Sequence, residues 1–259
     1  MNYKSEVKKK LSNGEVVLGT WLTIGHNAIA EIMSSSGFDW IAVDLEHTTI
    51  SIETAGELIR TIDLCGSSPL VRLTSNNENQ IKRVMDAGAH GIIVPSVNTP
   101  EEAERAVKAV KYAPLGNRGV GLGRAQEYGR TFKEHYEWQK TQPLVIVQIE
   151  NIFAVKHLED ILTTDGVDGF MVGPYDLSCS MGIPGQFEAP EFEKVLAQIE
   201  KVGLQVGCPS GYHLVEPDCE KLKGLCRQGY NFIAYSVDFK LLNDGLGRGV
   251  TSFKEELNK

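Results

Sequence analysis

Three side chains in the middle of the chain have the chemistry to hold a metal ion. Gln148 and Glu150 close the apolar run Leu144–Glu150, and being two residues apart they project to the same side of a strand. Asp176 follows the next apolar run, in Gly173-Pro174-Tyr175-Asp176. Brought together, Glu150 and Asp176 are convergent carboxylates with positions left for water or substrate, a set suited to a hard octahedral ion such as Mg²⁺ or Mn²⁺. The same residues would also serve as local caps, Glu150 on the helix that follows and Asp176 on the turn into Leu177. Arg72 ends the apolar stretch Pro69-Leu70-Val71, where a lone guanidinium is costly without an anionic partner. It either pairs with one of these carboxylates or binds the carboxylate of a substrate. His47, in Asp44-Leu45-Glu46-His47, has the right residue type for a general base near neutral pH, with Asp86 as its candidate partner. A lone histidine is more often structural, and His26, His90, His135, His157 and His213 are read that way.

The elements that would position these groups are legible as eight short apolar runs. They are Val17–Leu22, Trp40–Asp44, Pro69–Leu73, Gly91–Pro95, Leu144–Glu150, Gly169–Gly173, Gln205–Pro209 and Phe232–Ser236. Several are continuously apolar, which fits strands buried on both faces of a parallel sheet. Helical patterns lie between them. Ala28–Ser36 ends before Gly37, Ile52–Cys65 before Gly66 and Glu78–Ala87 before Gly88, each glycine standing where a helix C-cap belongs. Thr99-Pro100-Glu101-Glu102 reads as an N-cap, a proline in the first turn and a capping glutamate. Later helices are expected over Ile152–Leu162, Pro190–Val202 and Glu216–Gln228. Strict strand–helix alternation, eight times in 259 residues, predicts an α/β chain folded as a single-domain (β/α)8 TIM barrel. The active site then belongs at the carboxyl ends of the strands, where Trp21, Asp44, Arg72, Ser96, Glu150, Asp176, Ser210 and Asp238 stand. The long stretch Tyr112–Gln142 is expected to be a lid or a subunit contact.

Composition narrows the function further. The apolar fraction is 42% and the charged fraction 23%, ordinary for a globular protein. A net charge of −8 with no dense run of lysine or arginine disfavours nucleic acid and anionic membranes as partners. Lys8-Lys9-Lys10 is read as the solvated face of a first helix. No apolar stretch has the length of a signal peptide or membrane span, so a cytoplasmic location is expected. Cys65, Cys179, Cys208, Cys219 and Cys226 are odd in number and never spaced C-x-x-C, so all five are read as reduced. None of the eight runs contains lysine, which removes the obvious Schiff-base nucleophile.

Taken in order, Gly37-Phe38-Asp39-Trp40, Asp44-Leu45-Glu46-His47, Val71-Arg72, Tyr112-Ala113-Pro114-Leu115-Gly116-Asn117-Arg118-Gly119, Val147-Gln148-Ile149-Glu150 and Gly173-Pro174-Tyr175-Asp176-Leu177-Ser178 resemble the HpcH/HpaI family of metal-dependent pyruvate aldolases. The resemblance runs from about Gly19 to Asp238. It implies reversible cleavage of a 4-hydroxy-2-oxo acid to pyruvate and an aldehyde. Glu150 and Asp176 would hold the divalent ion, Mg²⁺ or Mn²⁺ with Co²⁺ as a further candidate. Arg72 would bind the pyruvyl group, assisted by Gln148, Trp21 and the backbone amides around Tyr175 and Asp176. His47 with Asp86 would form an acid–base dyad, and Asp44 and Glu46 would support the site from behind. The resemblance also implies a homo-hexamer, a trimer of dimers that exchange the C-terminal helix. One departure is a short lid, with Leu122-Gly123 alone between Gly121 and Arg124-Ala125; Ser210-Gly211-Tyr212 is read as bordering the aldehyde end. A citrate-lyase-like or malyl-thioester lyase and a non-catalytic oxo-acid-binding barrel are the alternatives.

Overall fold

The computed structural model describes residues 6–257; residues 1–5 and 258–259 of the expected single domain lie outside it. Eight parallel strands close into a barrel in sequence order. They are β1 (Val17–Leu22), β2 (Trp40–Asp44), β3 (Ser68–Arg72), β4 (Gly91–Val94), β5 (Leu144–Ile149), β6 (Gly169–Val172), β7 (Ser210–Leu214) and β8 (Phe232–Val237). A short helix α1 (Glu6–Ser12) precedes β1. Helices α2 (Asn27–Ser35), α3 (Ile52–Leu64), α4 (Glu78–Asp86) and α5 (Pro100–Val110) follow β1 to β4 in turn. After a 3-10 turn at Arg124–Gly129 comes α6 (Phe132–Thr141). Two short helices, α7 (Ile152–Val155) and α8 (Leu158–Leu162), follow β5. The ring is completed by α9 (Pro174–Ser180), α10 (Pro190–Val206), α11 (Cys219–Gln228) and α12 (Asp238–Leu257). The expected (β/α)8 barrel is therefore the observed fold.

Alternation along each strand separates two apolar layers. Val43, Val71, Ile92, Val94, Val145 and Val147 face outward into the layer between sheet and helices. Trp40, Leu70, Ile93, Ile146, Met171 and Phe232 fill the barrel interior, where the Trp40 and Phe232 rings stack at 4.4 Å. Each such buried side chain stabilises the fold by about 2 kcal/mol. Thr99 caps α5 as the sequence predicts, and Ser51 and Asn77 likewise accept backbone N–H groups at the starts of α3 and α4.

Three expectations change. Gln205 and Val206 belong to the last turn of α10, not to a strand, because the helix runs on to Gly207, whose φ of 68° ends it in the left-handed region. β7 therefore begins five residues later, at Ser210, in a segment too polar to read as a buried strand. Lys8 and Lys10 are not a solvated face: α1 closes the amino-terminal end of the barrel with Val7 and Leu11, and these lysines pair with Asp168 and Asp39. The stretch 112–142 joins the end of α5 to the start of β5, and so lies at the barrel end opposite the carboxyl ends of the strands. Its 3-10 turn packs on α4, so it does not cover this chain's own mouth as a lid would.

All five cysteines are free. Among the described residues, no helix is long and apolar enough to cross a membrane.

Candidate active site at the barrel mouth

β2 and β3 pair in register at Asp44 and Arg72, which places both side chains inside the mouth at the same level. Arg72 grips Asp44 with two parallel hydrogen bonds, Nε to Oδ1 at 2.9 Å and Nη2 to Oδ2 at 2.7 Å. Its Nε also lies 3.4 Å from Glu46 Oε2, and its guanidinium stacks on Trp21 at 4.4 Å. Asp44 is thus the anionic partner that the position of Arg72 required, rather than Glu150 or Asp176. The Nη1 edge of the fork stays unused and available to an oxyanion.

Glu150 is held from the neighbouring strand end. Ser96, just after β4, adopts φ 53° and so turns its backbone N–H (2.6 Å) and Oγ (3.0 Å) onto Glu150 Oε1. Gln148 Nε2 donates to Oε2 at 2.9 Å. Gly173 lets the strand end lie close beside it, since a Cβ there would sit 3.0 Å from Oε2 and press on the carboxylate. The backbone amides of Tyr175 and Asp176 lie in the first turn of α9, where amides have no helical acceptor. The Tyr175 ring stands largely exposed, edge-on to Phe187 at 4.9 Å.

Four carboxylates, Asp44, Glu46, Glu150 and Asp176, therefore surround one guanidinium. The electrostatic consequence is visible in two of them. Burial pushes the Glu46 carboxyl up to about 7; Arg72 opposes this, while Glu150, Asp44 and Asp176 add to it. Burial likewise raises Glu150, against the Ser96 hydrogen bonds and with a further push from Asp176. Gln148 Oε1 is buried with no hydrogen-bond partner. Excess negative charge beside an orphaned carbonyl oxygen is the environment a divalent cation relieves, so the residues present fit the ion. The protein donors are a pair rather than a cage: among the described residues no three His, Cys, Asp or Glu side chains form a metal-holding group. Mg²⁺ chemistry agrees with that, because the ion keeps several waters and takes one or two carboxylates.

Two adjoining cavities open here. One, of about 250 Å³, is lined by Gln148, Gly173, Tyr175 and Asp176; the other, of about 450 Å³, by Thr23, Asp44, Thr49 and Phe239. Trp21, His47, Arg72 and His213 line both. His47 stands at the rim, its side chain 62% exposed and Nε2 3.7 Å from Glu46 Oε2. Asp86 is not with it. It closes α4 at the opposite end of the barrel, beside Gly121 and Gly123, where burial raises its carboxyl against the pull of Arg118 and Lys82. Sequence reasoning gave no role to two residues of the site. Ser96 stood at a recognised strand end, but nothing in its type announced its backbone geometry. His213 was read as a structural lone histidine, and with β7 placed too early in the chain nothing brought it to the mouth.

A profile of the HpcH/HpaI aldolase/citrate lyase family matches residues 18–244. A 2-keto-3-deoxy-L-rhamnonate aldolase of Klebsiella pneumoniae is 35% identical over 252 residues, spanning 96% of this chain and 93% of that protein. Among solved structures, a family protein from Burkholderia cenocepacia J2315 superposes with a TM-score of 0.91 at 29% identity, covering 97% of this chain and all of that one. A citrate synthase, SbnG, does so at 0.88 and 28% identity, covering 99% and 100%.

Proposed function

The chain belongs to the HpcH/HpaI aldolase/citrate lyase family, and on that premise we propose that it is a divalent-metal-dependent aldolase cleaving a 4-hydroxy-2-oxo acid to pyruvate and an aldehyde. The name carried by the Klebsiella relative points to a 2-keto-3-deoxy sugar acid as the substrate class. The observation that carries this reading is the unbalanced mouth: four carboxylates around one arginine, with an orphaned amide oxygen beside them.

Glu150 and Asp176 would hold the divalent ion, which when bound would supply Lewis-acid polarisation at the 2-oxo group. Arg72, fixed in its fork by Asp44 and backed by Trp21, directs its free N–H edge at the oxygen where negative charge develops. Ser96 and Gln148 hold the Glu150 carboxylate in one orientation, so it need not reorganise as charge moves. His47, exposed at the rim, takes the C4 hydroxyl proton as the C3–C4 bond breaks; its electron pair stays on the pyruvyl fragment, which is then protonated at C3. General-base help of this kind is worth about 10²–10⁴ in rate. A dyad of His47 with Asp86 belongs in this reading as a contact between copies of the chain, since one chain holds the two at opposite ends. The apolar stripe Phe239, Leu242, Leu246, Val250 and Phe253 on α12, each residue more than half exposed, offers the surface for such an assembly. A hexamer that exchanges this helix would bury it.

A thioester lyase would need cations for nucleotide phosphates. Among the described residues lining the two cavities, Arg72 is the one permanent cation.

The test is deuterium exchange into the methyl group of pyruvate, followed by proton NMR with Mg²⁺ or Mn²⁺ and again with excess chelator. Exchange that stops on chelation is expected. No exchange with any divalent metal would sink the aldolase reading.

A further inference from the structure

His213 projects into the barrel from β7. Gly211 and His213 share the inward face, while Tyr212 packs outward against Tyr230 at 5.3 Å. The ring lies where the two cavities meet, edge-on to Trp21 at 5.6 Å. Its Nε2 sits 3.2 Å from the carbonyl oxygen of Ser236. That carbonyl is placed there by a deliberate irregularity in β8. The register with β1 slips between Gly19↔Ala234 and Trp21↔Val237, and Ser236 within the slip takes φ 57°. A carbonyl can only accept, so Nε2 carries the ring's proton and Nδ1 presents a bare lone pair. Among the described residues no hydrogen bond is made by Nδ1, on a ring that lines both cavities. Burial, with Arg72 nearby, holds the imidazole down to about 4, against the Ser236 bond; the ring stays neutral under physiological conditions.

We propose that His213 is a specificity-determining residue whose Nδ1 accepts a hydrogen bond from a hydroxyl on the aldehyde half of the substrate. The proposal rests on the aldolase reading above. It commits the second cavity to a hydroxyaldehyde rather than a plain alkyl aldehyde. Two arguments carry the assignment to that half. The carboxylate and carbonyl oxygens of the oxo-acid half are acceptors, which a bare Nδ1 repels, so that half cannot be its partner. The smaller cavity already holds Gln148 and Asp176, and His213 is among the residues that line both cavities, so a substrate extending from the smaller into the larger passes beside its ring. An alkyl aldehyde would leave Nδ1 dry and unpaired, which selects against it by a factor on the order of 10–10².

The experiment measures kcat/KM for aldol addition of pyruvate to 2-hydroxypropanal and to propanal, in the wild type, H213L and H213Q. Using the ratio of the two aldehydes within each protein cancels their different intrinsic reactivity between variants. In H213L the preference for the hydroxylated aldehyde should fall by about 10-fold or more. H213Q keeps an N–H for Ser236 and offers a carbonyl oxygen towards the cavity, and should retain most of the preference. An unchanged ratio in H213L, or equal losses on both aldehydes, overturns the assignment; equal losses would mean that the ring serves the bond-breaking step and not recognition. Should H213L fail to fold by circular dichroism, H213M, of similar volume, carries the same comparison. Wild-type exchange of the pyruvate methyl, run alongside, separates the two failures. No exchange removes the aldolase reading and His213 with it, whereas exchange with an unchanged ratio removes His213 alone.

Discussion

Two arginine–aspartate pairs in this barrel are buried to the same degree and behave in opposite ways. Arg72 with Asp44 has side-chain exposures of 15% and 2%; Arg124 with Asp63 has 14% and 2%. At the amino-terminal end, Asp63 receives Arg124, with His90 Nε2 at 3.3 Å. Burial alone would raise the Asp63 carboxyl, but His90 and Arg124 outweigh it and bring it down to about 2. At the mouth, Arg72 must serve Glu46, Glu150 and Asp176 besides Asp44, and Glu46 is driven up to about 7. Burial is therefore not what distinguishes a structural ion pair from a functional one. The ratio of cations to carboxylates is. One end of the barrel spends its buried charges on stability, and the other keeps a deficit of positive charge that a ligand can fill.

The strongest way to break that contrast is Glu150→Gln. The change keeps the Oε1 acceptor for Ser96, and the Gln148 amide can turn its unpartnered Oε1 towards the new N–H. Metal-dependent pyruvate exchange should fall by about 10³ or more, the equivalent of about 4 kcal/mol of stabilisation at the reacting centre. The thermal midpoint of the metal-free protein should stay level or rise, because a buried carboxyl in excess has been neutralised. A variant that is destabilised like a broken structural pair would show that Glu150 belongs to the fold and not to a ligand site.

That site was partly legible in the sequence, and the reasons are specific. Gln148, Glu150, Asp44 and Arg72 sit at the ends of long apolar runs, where alternation fixes which way a side chain points. His213 lies in Ser210–Leu214, a strand of mixed polarity preceded by a more apolar segment that turned out to be the end of α10. Periodicity is weakest where a strand carries function, because functional residues replace the apolar ones that would announce it. The place of Asp86 was hidden for another reason: it follows the third strand closely in sequence, yet a nine-residue helix carries it to the far end of the barrel, away from His47 of the same chain. No local pattern reports that distance.

Arg72→Lys sharpens the comparison with a smaller effect. An ammonium cannot grip Asp44 at two points and still present an edge to substrate. We expect kcat/KM for the oxo acid to drop about 10²-fold with little change in thermal midpoint. Arg124→Lys should do the reverse, lowering the midpoint while leaving pyruvate exchange near the wild-type rate. If both variants lose activity equally, the two ends are coupled and the division drawn above is wrong.

The smallest effect concerns acid and tests the sign of each end separately. Asp63 binds its proton less readily in the folded chain than in the unfolded one, about 2 against 3.8. Its stabilisation is complete above about pH 5 and is lost as pH falls through 3.8 towards 2, a change of roughly 2 kcal/mol. Glu46 runs the other way. With its folded value near 7 against 4.5 unfolded, the native state holds the extra proton between those values, so stability falls as pH rises through that window. Denaturant titrations of the metal-free protein from pH 2.5 to 8 should therefore show Asp63→Asn flattening the acid limb alone, and Glu46→Gln flattening the limb between about pH 4.5 and 7 alone. If either variant flattens both limbs, or neither, then the two charge clusters do not act through these carboxyls, and the balance of cations to carboxylates loses its standing as the difference between them.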